Sequence, residues 1–486
     1  MLTKCNNIIF SKRNYIDIFI IEILGKHHFV KIVGSLLIIF LLLTGCSPFK
    51  PKKGFESYQQ VPESYSVGST QFDPSWKWWQ SFNDPELDAL VEKALADNFS
   101  IKQAWFRLKQ AEAVAVQAGA DLYPDLTGES DAIRSRQRVK NGIEDTFSFS
   151  DYSVGLISRY EIDLWGRIRS EEEAALAEAS ATLEDFHTAA NTVVAEIATR
   201  WVRIISQRKQ RLLLENQLKT NSIILELIEL RFRKSLSSAL DVFQQQQLVE
   251  AVKADIPLVE AEQKVLNNQL YLLTGMAPGK GMVVKRDSLP VLNGMPKTGI
   301  PADLLSNRPD VRASGLRLMA SQWNVAAAKA NRLPALTLTG AARYDASHLD
   351  ILFDNWIVNL AGGLTAPIFD GGRRKAEVDR TEAAYQRLIA VYRETVLAGV
   401  VEVEEALIRE TKQREHVEAQ KKVIEVARKA LDQAVERYRN GLSDYLPVLT
   451  QLLTVQGRER ELIQQQALLL IYRIELYRAL GGTWMN

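Results

Sequence analysis

The segment Arg231-Phe232-Arg233-Lys234-Ser235-Leu236-Ser237 returns as Arg437-Tyr438-Arg439-Asn440-Gly441-Leu442-Ser443, so the chain contains one structure twice. The correspondence runs forward to Leu270-Tyr271 against Leu476-Tyr477 and to Gly275 against Gly481. It runs back to Glu196 against Glu402 and to Gly166-Arg167 against Gly372-Arg373. Further upstream it continues with Ile101 against Val311, Leu108 against Leu318, Pro124 against Pro334 and Leu126-Thr127 against Leu336-Thr337, after a change of four residues between Pro124 and Gly166. Solenoid arrays repeat every ~20–50 residues. A unit this long is a duplicated domain, and any fold assigned to one half has to serve the other.

Between Gly166 and Gly275 there is no glycine, and Pro257 is the only proline. Nothing in that stretch stops a helix far longer than the average of about 11–12 residues. Leu176, Ala179, Leu183, Phe186, Ala190, Val193, Ile197, Trp201 and Ile204 step by three and four, which predicts a coiled-coil seam with a stutter between Ile197 and Trp201. Tyr385, Ile389, Tyr392, Val396, Gly399, Val403 and Leu407 repeat it in the second half. About 60 such residues make a rod near ~90 Å long, and a rod of that length needs long partners.

Between the helical parts the period changes to two. Leu126, Gly128, Ser130 and Ala132 alternate with Thr127, Glu129 and Asp131, and Tyr152, Val154, Leu156, Tyr160 and Ile162 with Ser153, Gly155, Arg159 and Glu161. In the second half Leu336, Leu338, Ala342 and Tyr344 alternate with Thr337, Thr339 and Arg343, while Trp356, Val358, Leu360, Leu364 and Ile368 are set against Asn359, Ala361, Gly363 and Thr365. This pattern predicts one hairpin per half, with polar tips near residues 140–142 and 347–350. It suits a half-buried soluble sheet and a membrane barrel equally. Four strands are too few to close a barrel, for which about eight is the practical minimum. The chain therefore borrows strands from copies of itself or uses its own in a soluble sheet.

The 486 residues carry 60 basic and 59 acidic side chains, a formal net charge of +1, so bulk charge gives no reason to expect nucleic acid. The cysteines are Cys5 and Cys46, which excludes an internal disulfide or a multi-cysteine metal site in the body of the protein. The apolar run 32–43 follows Lys26 and Lys31, is too short for the ~20 residues of a spanning helix, and has the length of a signal-peptide core. It ends in Leu43-Thr44-Gly45-Cys46, which resembles a bacterial lipoprotein box and makes Cys46 the lipidated first residue of the mature chain; Ser47 behind it favours the outer membrane.

With that box, Trp78-Trp79-Gln80-Ser81-Phe82, Asp84-Pro85-Glu86-Leu87, Tyr160-Glu161-Ile162-Asp163-Leu164-Trp165-Gly166-Arg167, Arg308-Pro309-Asp310-Val311, Pro367-Ile368-Phe369-Asp370-Gly371-Gly372-Arg373 and Arg437-Tyr438 before Gly441-Leu442-Ser443, the chain resembles the TolC-like outer-membrane efflux proteins, in their lipoprotein branch. The resemblance covers nearly everything after Cys46. It implies a mostly α protein with a small β part: long helices forming a periplasmic α-barrel, and four strands per protomer completing a twelve-stranded barrel in a homotrimer. It divides the chain into a leader (1–45), a lipidated segment of an equatorial belt (46–83), a first repeat (84–275, hairpin about 124–164, helical tip about 234–241), an equatorial linker (276–300) and a second repeat (301–486, hairpin about 334–369, tip about 440–446).

The function so implied is the exit duct of a tripartite efflux system in the bacterial outer membrane, without catalysis or cofactor. Its partners are a periplasmic adaptor, an inner-membrane pump of the resistance-nodulation-division type, and outer-membrane lipid. Leu236, Ser237, Gly441, Leu442 and Ser443 are the docking tips. Asp241 and Asp444, each present three times in a trimer, are the candidates for a cation-favouring periplasmic constriction. Asp241 ranks first because it lies just inside its helix, whereas Asp444 is placed either to cap its helix or to face the adaptor; the plainer rival is that both stabilise helix starts through the helix dipole. Relatives carry an Asp-Ala-Gln-like segment where this chain has Thr450-Gln451-Leu452. Glycine at position 441 suits a left-handed tip, a freedom Ser235 lacks.

Several sharper readings have plainer rivals. His187, His348 and His416 are isolated, as surface or core histidines are, and Asp370-Gly371-Gly372-Arg373-Arg374 lacks the ending of a phosphate-binding loop and fits a strand-to-helix turn. The glutamines 244–247 and 464–466 are expected on the solvated face of a coiled coil. The tryptophans 76–79 are expected to pack the belt. A coiled-coil envelope lipoprotein is an alternative with no use for four strands, an anchored enzyme one with no convergent polar cluster, and a type I secretion duct an alternative within the channel class.

Overall fold

The structure, a computed structural model, describes residues 48–51, 62–66, 77–141, 143–292 and 294–482, with the side chains of 139–145 outside the description. The leader, Cys46 and Trp76 lie outside these residues. No helix among the described residues is long and apolar enough to cross a membrane.

The repeat is plain in the helices. After a 3-10 turn at Trp78–Phe82 come α1 (Pro85–Asp97) and α2 (Phe99–Ala120), then strands β1 (Asp125–Asn141) and β2 (Ile143–Ile162), and the helices α3 (Arg167–Arg233) and α4 (Ala239–Leu273). The second half gives a short α5 (Leu304–Asn307), α6 (Pro309–Ala330), β3 (Ala335–Ala346), β4 (Trp356–Thr365), α7 (Arg373–Arg439) and α8 (Leu446–Ala479). Helices α3 and α7 both have 67 residues, α2 and α6 both 22, and α4 and α8 have 35 and 34. At ~1.5 Å per residue the longest rods reach ~100 Å. Ile368 falls beyond the end of β4, so the alternation read through it stops at Leu364.

The chain forms two compact units. One holds Leu126–Arg167 and Leu333–Pro367, a four-stranded sheet in the order β1-β2-β3-β4. Strand β2 pairs antiparallel with β3, Tyr160 opposite Leu338, and β3 with β4, Leu338 opposite Gly362. The indole Nε1 of Trp165 donates to the Pro334 carbonyl at 2.7 Å, fastening the end of the first hairpin to the start of the second.

The other unit contains the helices. Local chemistry sets their starts: the Asp84 carboxylate accepts from the amides of Glu86 (2.9 Å) and Leu87 (3.0 Å) ahead of Pro85, and Asn98 accepts from Ser100 and Ile101. Its largest core packs Trp78, Trp79 and Phe82 against Leu87 and Leu90 of α1, Ile197 and Trp201 of α3, Leu270 of α4, Val284, and Ile474 of α8. Trp78 stacks on Tyr477 at 5.3 Å between ring centres. Trp78 and Trp79 thus pack a core.

The seam differs from its expectation at one end. Phe186, Val193, Ile197, Trp201 and Ile204 are buried, but Leu176 and Leu183 are exposed, and Ala174, Ala177 and Ala181 are buried beside them. Alanine there lets a neighbouring helix approach closely and leaves the leucines on the flank. Further along, polar residues occupy seven-residue apolar rows: Asn221 between Leu214 and Ile228, Gln456 between Leu449 and Ile463, and Glu410 between Val403 and Val417, all buried.

Buried Glu410 receives two hydrogen bonds from Arg473 of α8, at 2.5 and 2.8 Å, and one from Arg414 at 3.0 Å; Arg473 also donates to the Gly294 carbonyl at 3.1 Å. Removing one partner of such a pair strands the other charge. Glu410→Ala is expected to lower stability by about 3–5 kcal/mol. The paired replacement Glu410→Leu with Arg473→Met should recover most of that loss, as read from denaturation midpoints of the detergent-purified protein.

Candidate functional site

The candidate site residues lie at the two helical tips, and the sheet has two chemically distinct faces. At the first tip α3 ends at Arg233, and the amide of Leu236 donates back to the Arg231 carbonyl at 2.8 Å; at the second, Leu442 does the same to Arg437 at 2.8 Å. This six-to-one bond closes a helix when the residue before it is left-handed. Gly441 has φ 68°, and Ser235 has φ 60°. The freedom denied to Ser235 on steric grounds is therefore taken at a cost, and the two tips share one backbone shape. Leu236 and Leu442 sit at equivalent places and project, 64% and 66% exposed, with Leu240 and Phe243 also exposed beside the first. Ser237 and Ser443 are half-buried.

Capping falls to Asp241 and not to Asp444. Asp241 caps α4: its carboxylate accepts from the Ser238 amide (2.9 Å) and the Ser237 hydroxyl (2.8 Å), while its amide donates to Ser238 Oγ (3.2 Å). Asp444 is exposed and caps nothing; α8 starts at Leu446, with Tyr445 at the N-cap making no side-chain cap and Pro447 in the first turn. Thr450 is exposed, its hydroxyl donating to the Leu446 carbonyl.

Behind the tips lies a buried polar network that sequence reasoning missed. The side-chain amides of Asn221 (α3) and Gln456 (α8) exchange hydrogen bonds at 3.2 and 2.7 Å, Gln245 (α4) donates to the Asn221 carbonyl at 2.8 Å, and the Tyr445 hydroxyl donates to Gln245 Oε1 at 2.7 Å. Tyr445 packs on Tyr438, over whose ring the Arg231 guanidinium lies at 4.6 Å, joining the end of α3 to the end of α7. Burial pushes the Tyr445 hydroxyl far up, keeping it a neutral donor. Gln245 thus departs from the solvated face expected for residues 244–247. The available signal was its spacing, three and seven residues before Leu248 and Val252.

In the sheet the alternation sorts into two faces. Val154-Tyr344-Trp356, Leu156-Ala342-Val358 and Ile162-Leu336-Leu364 are opposed rows on one face, and Leu360, Leu364 and Trp356 are exposed there. The other face carries Glu161-Thr337-Gly363, Arg159-Thr339-Ala361 and Gly155-Arg343-Ile357. An exposed apolar face backed by a polar one is the pattern of a membrane barrel strand with an aqueous interior.

The plainer reading of the Asp370 motif holds. The Asp370 carboxylate accepts from the amides of Gly372 (3.0 Å) and Arg374 (3.2 Å), and Gly371 and Gly372 have φ 63° and 87°, so this is a capped turn into α7. Buried Arg308 of the Arg308-Pro309-Asp310-Val311 motif binds Asp310 (2.6 Å), Glu402 (2.9 Å) and the Ala479 carbonyl (2.9 Å), tying α6 to α7 and α8. Among the described residues no cluster of His, Cys, Asp and Glu could hold a metal ion.

A family model described as outer membrane efflux protein matches residues 90–276 and 300–482. The chain is 31% identical over 464 residues to the pyoverdine export outer membrane protein OpmQ of Pseudomonas aeruginosa, covering 93% of this chain and 97% of that one; the Pseudomonas putida OpmQ is 32% identical, at 92% and 97% coverage. Among solved structures, the outer-membrane channel OprN superposes with a TM-score of 0.84 at 26% identity, covering 90% of this chain and all of that one, and the outer membrane protein VceC of Vibrio cholerae with 0.79 at 26%, covering 85% and all of that one. The helical pairs and the two-faced sheet are those of outer-membrane channels. The chain belongs to the outer membrane efflux protein family.

Burial pushes the Asp241 carboxyl up, but hydrogen bonds from the Ser238 backbone and the Ser237 and Ser238 hydroxyls outweigh it and hold the group below the usual carboxylate range. A carboxyl depressed in the folded state stabilises the cap above its unfolded pKa of about 4 and loses that contribution as pH falls through the folded value. Amide exchange at residues 238–241, corrected for intrinsic rates, should therefore quicken between pH 6 and pH 3 in the wild type. In Asp241→Ala it should be fast at both, at a cost of about 1 kcal/mol.

Proposed function

We propose that the chain is the outer-membrane exit duct of a tripartite efflux system, working as a homotrimer held by acyl chains on Cys46 and passively conducting what an inner-membrane pump and a periplasmic adaptor deliver. The observation that carries this reading is the sheet: one apolar exposed face, one polar face, and two open edges, β1 and β4. Open edges in lipid leave backbone groups unsatisfied at several kcal/mol each. Strands β1 and β4 run in opposite directions, so β4 of one copy pairs antiparallel with β1 of the next and the ring closes. Two copies would give eight strands and an interior filled by side chains; three give twelve and a water-filled bore.

The tips support the other half of the proposal. Leu236 and Leu442 are exposed leucines on rigid, closed helix ends, which suits insertion between the helices of an adaptor. Asp241 and Asp444 remain the candidates for a ring of carboxylates at the periplasmic mouth; Asp444 has the exposed side chain, whereas Asp241 is engaged in its cap.

Native mass spectrometry of the purified protein in detergent should give a trimer, and the same sample should insert into planar bilayers as a conducting pore. A dominant monomer that still conducts would defeat the trimer. Leu236→Asp with Leu442→Asp should abolish export in cells and leave trimer mass and conductance unchanged; undiminished export in that variant removes these leucines from the docking surface.

A further inference from the structure

We propose that the apolar face of the sheet continues into a basic ladder, Arg134, Arg136 and Arg138 of β1, that binds the phosphates of phosphorylated lipids in the outer leaflet of the outer membrane. The inference rests on the membrane-barrel reading above, which fixes which face meets lipid.

The ladder's face follows from the alternation. A Cβ built on Gly128 would lie 3.9 Å from Leu156 Cδ2, so the even positions of β1 share the face of Leu156. That is the face of Val154, Tyr344 and Trp356. Along β1 it runs Leu126, Gly128, Ser130, Ala132 and then Arg134, Arg136, Arg138, while Glu129 and Asp131 occupy the opposite face. Charge is thus segregated by sign across the strand. Continuing the same alternation on β2 puts Thr146, Ser148 and Ser150 on the arginine face, hydroxyls that also donate to phosphate oxygens.

The ladder's level follows from the aromatics. Tyr344 lies opposite Trp356 near the hairpin ends of β3 and β4, and Tyr152, midway along β2, lies opposite Ala346 at the end of β3. Tyr344 meets Phe353 edge-to-face at 5.3 Å, and Trp356 and Phe353 are 68% and 70% exposed. An exposed aromatic band at the end of an apolar face marks the boundary between hydrocarbon and headgroups. From Trp356 to Thr365 the apolar face of β4 runs roughly 30 Å, about 25 Å along the normal at barrel tilt, which is the height of a lipid-facing band. Strands β1 and β2, with 17 and 20 residues, continue beyond that band while β3 and β4, with 12 and 10, do not. The arginines stand on this extension, on its outward face.

Arg134, Arg136 and Arg138 are exposed; among the described residues Arg134 and Arg136 form no ion pair, whereas Arg138 already has an interaction partner. Alternate strand positions are ~7 Å apart, so the row spans ~13 Å and presents planar guanidinium forks in series, a geometry suited to more than one phosphate. A solvated hairpin would have no reason to place its cations on the lipid side alone.

The test uses the full trimer in detergent, titrated with lipid A, with lipid A stripped of its phosphates, and with inorganic phosphate, and read by native mass spectrometry. The wild type should retain lipid A about a hundredfold better than the dephosphorylated form, at roughly a factor of five for each arginine near a charged surface. Arg134→Gln with Arg136→Gln and Arg138→Gln should lose that preference, whereas Arg343→Gln on the opposite face should keep it. Equal retention of the two lipids by the wild type overturns the proposal, as does an unchanged preference in the triple variant or equally tight binding of inorganic phosphate. Bilayer conductance of the same samples separates the two readings: a conducting wild type without the preference removes the ladder alone, and a wild type that neither inserts nor conducts removes the barrel beneath it.

Discussion

Everything here depends on keeping rods of 67 residues in register with their neighbours. A long apolar seam is nearly degenerate, because sliding one helix by a heptad restores most contacts. The chain breaks that degeneracy with buried polar residues at seam positions. The Asn221–Gln456 amide exchange, the Gln245–Tyr445 hydrogen bond and the Glu410–Arg473 ion pair each have one satisfied alignment. A slip in any of them buries an unpaired polar group, which costs more than the bond itself contributes. The first two sit behind the tips and the third lies near the middle of α7.

The sheet poses a different physical problem. Its strands satisfy one another internally, and the outer edges of β1 and β4 can be satisfied only by another copy or by water. A helix carries its hydrogen bonds within itself, so the helical unit can face water in one protomer. In lipid, where water cannot satisfy those edges, assembly is demanded by the β part, which is small, and inherited by the α part, which is large.

Duplication explains why the two tips look alike and why they differ. Both close with the same six-to-one hydrogen bond and project a leucine from the same place. They diverge at the following helix, where the first copy uses Ser238 and Asp241 as a capping box and the second uses buried Tyr445 and Pro447. One tip is held by its own polar groups and the other by packing against Tyr438.

The duplicated plan, the long helices and the alternating strands were legible from the residues alone, because each is written in local periodicity and in the absence of helix breakers. The Asp370 turn was legible for the same reason. The tertiary structure alone decided which residues of each period are inside. Leu176 and Leu183 kept the seam's spacing and lost the core to Ala174, Ala177 and Ala181, since closeness of approach depends on the neighbouring helix. It alone placed Gln245, Asn221 and Gln456 together, for partners 24 and 235 residues apart leave no mark in a local window. It alone decided that Asp241 caps its helix and Asp444 does not, because capping depends on where a helix begins to within one residue, and that is fixed by the packing around the tip.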